Sequence, residues 1–296
     1  MPTAATRVPR ILVLITVAAL AAACSAHQAS PTAPSATLTV GAAQTGAPVP
    51  AADPLPSVSA LGATRYLAFG DSITCGVPGA FPLAPADLAF DDPTCQLQPG
   101  SPQYPQILRG LLQSASPSQS FSVDNQGRPG EEARVAFSRF SSLVAAQRPQ
   151  VVLLFEGIND LNNPDLYPNT GQRITAAVSA LQQMVELARV YNATVMVATM
   201  FQTCYSVNPY TGRVRTNSTD LIVPFNAALR SMTAGRLNVY VVDVYAAFGT
   251  NNCGFEQGIN LVGEDGLHPS PAGYNAIASA FGAAIRDKLA VRGSYQ

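Results

Sequence analysis

The run Tyr66-Leu67-Ala68-Phe69 is apolar throughout and stops abruptly at Gly70-Asp71-Ser72-Ile73-Thr74. A short unbroken apolar run bounded by glycine is how a strand buried on both faces reads, and strands of that kind belong to parallel sheets. Working outward, similar runs recur at Phe121 to Asp124, Val151 to Phe155, Thr194 to Thr199 and Val239 to Val242. Between the third and fourth of these, Ile174, Ala177, Val178, Leu181, Met184, Val185 and Ala188 fall at helical spacing and give one apolar stripe. A last helix is announced by Ser270 as N-cap and Pro271 at its first position, with Tyr274, Ile277, Ala278, Phe281 and Ile285 along one face. Strands alternating with helices predict an α/β domain whose parallel sheet is covered on both sides.

The chain's 296 residues suit one domain of roughly 230 residues plus a separate end. A formal net charge of -1, with 12% charged residues, leaves no basic footprint for nucleic acid. Of the 2 histidines, His27 and His268, the first lies in the N-terminal stretch, so no multi-histidine metal site can be assembled. The single lysine, Lys288, follows Asp287, which excludes a Walker A loop. Neither a metal nor a cofactor is expected.

Residues 1–23 have the order of an export signal: Arg7 and Arg10, then an apolar run from Ile11 to Ala23 too short to span a bilayer. The run ends Leu20-Ala21-Ala22-Ala23-Cys24, which resembles a lipobox with its large apolar residue one place early; ordinary cleavage after an Ala-x-Ala site is the alternative. Lipidation of Cys24 would leave four of the 5 cysteines, an even set fit for an oxidising compartment. Residues 24–62, rich in Ala, Pro, Ser and Thr, read as a flexible tether, and residues 63–296 as the folded domain. The protein is therefore expected outside the cytoplasm, touching a membrane only through a lipid anchor at Cys24.

Two stretches break the alternation, 77–101 and 202–217. Both follow the carboxyl ends of expected strands, where open α/β sheets bind ligands, so they are candidate walls of a substrate site or plain surface insertions. Ser72 sits at that same edge, where a following helix turn would offer N–H groups to developing negative charge. A serine nucleophile needs a base, and His268 is the one histidine of the expected domain. It stands in Asp265-Gly266-Leu267-His268-Pro269, with an acid three residues upstream to orient it. The third strand runs into Gly157-Ile158-Asn159-Asp160 and the second into Asn125-Gln126-Gly127-Arg128-Pro129-Gly130. Taken singly, Asn159 would serve equally as a turn or helix cap, and Gly130 as a turn residue.

Together and in this order, the four blocks resemble the SGNH (GDSL-type) hydrolase family, from about Arg65 to Leu289. The resemblance implies a flavodoxin-like three-layer sandwich with a central five-stranded parallel sheet. It also implies Ser72 as nucleophile, His268 as base, Asp265 as its orienting acid, and an oxyanion hole from the Ser72 and Gly130 N–H groups and the Asn159 amide. The usual Asp-Thr after the family's second-block glycine is here Glu131-Glu132, and Gly127 stands three residues before Gly130.

A Ser-His-Asp esterase without cofactor follows, acting on a small-molecule or glycan ester. Short acyl groups, such as acetyl esters of glycans, lead the substrates. The alternatives are a lysophospholipase or lipase, with Phe81, Leu83, Leu88 and Phe90 supplying an apolar trough, and a non-catalytic glycan- or lipid-binding surface lipoprotein. Three pairings of the four remaining cysteines are possible; Cys95 lies inside the insertion that follows Cys75, and Cys204 and Cys253 each follow a later expected strand at the same sheet edge, so the pairing expected is Cys75 with Cys95 and Cys204 with Cys253. Oligomeric state is not legible.

Overall fold

The computed structural model describes residues 51–79, 103–163, 169–204, 206–207, 214–215, 219–249 and 260–291. Outside them lie the export segment, Cys24, most of the expected tether, Cys95, Cys253 and most of both insertions.

Five strands form one parallel sheet: β1 (Arg65–Gly70), β2 (Ser122–Gly127), β3 (Val151–Phe155), β4 (Thr194–Ala198) and β7 (Val239–Val242). Their order, β2-β1-β3-β4-β7, is the doubly wound arrangement of flavodoxin-like folds. Right-handed crossovers then dictate the layers, because the connection from β1 to β2 moves across the sheet in the opposite sense to all later ones. Accordingly α2 (Tyr104–Ala115) packs with α8 (Pro271–Leu289), whereas α3 (Ala133–Gln147) and α6 (Thr219–Thr233) both pack with α5 (Thr170–Val190). Shorter helices α1 (Ser72–Cys75), α4 (Ile158–Leu161) and α7 (Val244–Phe248) directly follow β1, β3 and β7, and a two-stranded antiparallel ribbon pairs β5 (Ser206–Val207) with β6 (Val214–Arg215).

All of β3 is buried because it lies mid-sheet under helices on both sides. On α5, Ala177, Leu181, Met184, Val185 and Ala188 are fully buried, while Ile174 and Val178 pack at the margin. Ser270 caps α8 through its Oγ, which accepts the Gly273 N–H at 3.2 Å. β2 runs further than its apolar residues suggest: as an edge strand it keeps half-exposed Asn125 and Gln126 in register with Ala68 and Phe69.

The tether is shorter than its composition predicts. Leu55 and Val58 pack against the core, Leu61 is buried, and the Val58 N–H donates to the Ala115 carbonyl at 2.9 Å. Gln119 closes the connection, its Oε1 accepting the Leu61 N–H at 2.6 Å and its Nε2 donating to the Leu61 carbonyl at 2.9 Å. The Gly62 N–H reaches the Leu289 carbonyl at 2.7 Å and the Val291 N–H the Ala60 carbonyl at 3.0 Å, so residues 55–62 belong to the folded domain. Sparse apolar residues among Pro and Ser carry no period, which is why the docking is invisible in composition.

Candidate active site

β1 delivers the chain to the carboxyl edge of the sheet and α1 turns it back within one helical turn. Asp71 caps that turn, its Oδ1 accepting the Ile73 N–H at 2.9 Å, and Gly76, in the left-handed region at φ 99°, ends it by donating to the Ser72 carbonyl. The turn lies so close to β2 that a Cβ on Gly127 would come within 2.0 Å of the Cys75 nitrogen. Ser72 is thereby held at the sheet edge, 4% exposed.

Residues from the far end of the chain meet it. The loop from Val262 to Pro269 is closed on itself by the Gly263 N–H on the His268 carbonyl at 2.8 Å. Inside it, Asp265 Oδ1 accepts the N–H groups of Leu267 and His268, both at 2.9 Å. Asp265 Oδ2 lies 2.5 Å from His268 Nδ1, and His268 Nε2 lies 2.9 Å from Ser72 Oγ, across 196 positions of sequence. Burial works to raise the Asp265 carboxyl pKa, but the ring hydrogen bond, the histidine's charge and the two backbone donors outweigh it and hold the pKa below the usual value. A carboxylate kept ionised on Nδ1 fixes the proton there and leaves the Nε2 lone pair facing the serine.

The second and third blocks converge on the same edge. Gly157 turns β3 into α4, which carries Asn159 and Asp160, and Asn159 Nδ2 donates to the Glu131 carbonyl at 2.8 Å. Of the two glycines in the second block, Gly127 is spoken for: it is wedged against α1 and its N–H donates to Asn125 Oδ1 at 3.0 Å. Gly130, exposed at φ 75°, occupies the outer turn, in a conformation that glycine adopts without strain.

Beneath these groups lies a cluster not expected from the sequence. Asp71, Glu131, Glu156 and Asp160 are all buried; Arg139 pairs with Glu131 and also acts electrostatically on Glu156. Asp160 takes the Ala133 N–H at 2.7 Å and the Arg134 N–H at 3.2 Å, capping α3, and burial pushes its carboxyl up to about 6 against those bonds. Both Glu156 oxygens are buried without a hydrogen-bond partner, and desolvation, reinforced by Asp71, Glu131 and Asp160, raises its pKa well above the usual range. Among the described residues, no group of three or more His, Cys, Asp or Glu is arranged to hold a metal ion. The signal that would have exposed the cluster is Arg139, a charge on the face of α3 that buries Ala136 and Phe140.

Of the other expected residues, Cys75 closes α1, fully buried, and Cys204 is buried with its N–H on the Gly266 carbonyl at 2.8 Å. No described helix is long and apolar enough to cross a membrane.

Among solved structures, an acetylxylan esterase from Geobacillus stearothermophilus is similar at 23% identity and a TM-score of 0.53, over 79% of this chain and 99% of that one. A family 3 carbohydrate esterase from Clostridium thermocellum is similar at 21% identity and a TM-score of 0.51, over 76% of this chain and 99% of that one. LAE5, an α/β hydrolase enzyme from the metagenome of Lake Arreo, Spain, is similar at 21% identity and a TM-score of 0.54, over 77% and 98% of the two chains. At these identities the likeness is one of fold. No curated protein matches the sequence. Residues 68–276, which hold all four blocks, match the GDSL-like Lipase/Acylhydrolase family, and the chain accordingly belongs to that family and is a carboxylic ester hydrolase.

Proposed function

We propose that the chain is a serine esterase for short acyl groups, with acetyl esters of glycans as its substrate class. The observation that carries the reading is the hydrogen-bonded line Asp265–His268–Ser72, built from segments 196 positions apart. In the proposed cycle His268 Nε2 takes the Ser72 proton as Oγ attacks the ester carbonyl, and the imidazolium is stabilised by the ionised Asp265. His268 then hands that proton to the departing alcohol. Water, deprotonated by the same ring, attacks the acyl-serine and releases the acid and Ser72. The oxyanion formed at each stage is received by the N–H groups of Ser72 and Gly130 and by the Asn159 amide. The Asn159 bond to the Glu131 carbonyl supports that assignment, since it ties this donor to the residue following Gly130.

The glycan ester is supported by the acetylxylan esterase and carbohydrate esterase among similar folds. The test is a rate series over p-nitrophenyl esters of increasing chain length, with acetylated xylan alongside and Ser72→Ala as control. Rates that fall with chain length, xylan deacetylation, and an inert control support the reading. Faster hydrolysis of long chains would turn it toward a lipase, and activity surviving in Ser72→Ala would remove the nucleophile.

We further propose, on sequence grounds, export through residues 1–23 and lipidation at Cys24. Wild-type protein should then fractionate with membranes and Cys24→Ser should not; equal partitioning of the two overturns the anchor.

A further inference from the structure

Arg139 makes more contacts with the site's scaffold than an ion pair requires. Its guanidinium lies 4.0 Å from the centre of the Phe69 ring. Nη1 donates to the Gln126 carbonyl at 2.8 Å and Nη2 to the Gly70 carbonyl at 3.5 Å, the carboxyl-end carbonyls of two neighbouring strands. Nε is 3.0 Å from each carboxylate oxygen of Glu131, and Nη2 also contacts Oε2. The arginine is thus fixed to β1 and β2 and presents a planar fork to one carboxylate. That carboxylate is nearly dry: the Glu131 side chain is 5% exposed.

At its other end, Glu131 offers its main-chain carbonyl to the Asn159 amide at 2.8 Å, and its N–H follows directly on Gly130. The neighbouring Asp160 holds the Ala133 and Arg134 N–H groups, so the start of α3 is clamped to α4 from the opposite side. The segment carrying Gly130 is therefore held between a strand-anchored guanidinium and α4, which carries Asn159. A surface ion pair contributes little and tolerates loss of either partner; this one has a geometric consequence, because the same residue joins the fork to the amide.

We propose that the Glu131–Arg139 pair is a positioning device for the oxyanion donors: it sets where the Pro129–Gly130 peptide, which carries the Gly130 N–H, lies and, through the Glu131 carbonyl, where the Asn159 amide points. The proposal rests on the Ser72–His268–Asp265 reading and deepens it. Neither residue touches substrate. Their effect passes through Asn159 and Gly130, and so belongs to transition-state stabilisation rather than to substrate binding.

The experiment is a double-mutant cycle on the full chain with p-nitrophenyl acetate, comparing wild type, Glu131→Gln, Asn159→Ala and the pair. Glu131→Gln is expected to lower kcat by about 10- to 100-fold with KM little changed, the range found when a supporting residue is lost. In the Asn159→Ala background the same substitution should cost under about threefold, because the donor it aims is already gone. Arg139→Lys, which keeps the charge and loses the fork, should reproduce the Glu131→Gln pattern, and serves in its place if that variant does not fold. Equal losses in both backgrounds, a change confined to KM, or a lowered Tm with kcat intact would overturn the proposal. An active Ser72→Ala protein would instead overturn the reading beneath it, so the two failures are told apart.

Discussion

Asp265 holds His268 twice, by its backbone N–H on Oδ1 at 2.9 Å and by its ring Nδ1 on Oδ2 at 2.5 Å. Backbone and imidazole are thus oriented by one carboxylate. Asp265→Asn keeps an oxygen for the backbone donors and replaces the other with an amide that cannot accept the Nδ1 proton. The ring must then carry its proton on Nε2, facing Ser72, where it cannot act as base. A fall in kcat of about 10³- to 10⁴-fold in a folded protein is expected; a loss under about tenfold would show that the ring does not depend on Asp265. Because its pKa is depressed, the stability this carboxylate contributes is complete above the ordinary value of 3.8 and is lost as pH falls through the lowered one.

Asn159→Ala should lower kcat by about 10²- to 10³-fold with KM nearly constant, as when one oxyanion donor is lost. Steady-state kinetics on p-nitrophenyl acetate decide it. A raised KM with kcat preserved would make Asn159 a substrate-binding residue.

The unpartnered Glu156 gives a pH-dependent prediction for stability. Its raised pKa means that the folded protein keeps a proton which the unfolded chain has released, so this group's contribution is full below the ordinary value of 4.5 and is lost as pH rises through the folded one. Glutamine at that position has nothing to titrate. The Tm of Glu156→Gln relative to wild type should therefore climb as pH rises above the ordinary value of 4.5, following a term of up to about 1.4 kcal/mol per pH unit in the wild type. A gap that does not vary with pH would mean that Glu156 is ionised in the fold.

For the cysteines, non-reducing peptide mapping is expected to return Cys75 joined to Cys95 and Cys204 joined to Cys253. Closing the first, roughly 20-residue loop should stabilise by about 3 kcal/mol in the chain-entropy model. A Cys75 to Cys253 peptide, or free thiols throughout, would refute the pairing.

The parts legible in the sequence are those where one physical demand dominates a stretch. β3 is apolar end to end because helices cover both its faces, and α8 declares its start because Ser270 and Pro271 suit only a helix N-terminus. The meeting of Ser72, Asp265 and His268 was legible because His268 is the one histidine of the expected domain. Burial of Glu131, Glu156 and Asp160 was not, since a carboxylate in a sequence looks alike whether it faces water or a guanidinium. The ribbon of β5 and β6 escapes for a simpler reason: strands of two residues cannot display a period of two.

The clasp between residues 60–62 and 289–291 lies at the amino edge of the sheet, where β1 begins, whereas Ser72 lies at the carboxyl edge. Residues 60–62 and 289–291 thus meet at one seam, at the opposite edge of the sheet from Ser72. Joining the two sides of that seam with a short linker should permit circular permutation at this domain without rebuilding the site. By the same geometry, a pull applied upstream of Leu55 loads the Leu55 packing and the Val58–Ala115 hydrogen bond first, then the Gln119 and Leu289 contacts, before anything at the carboxyl edge that holds Ser72.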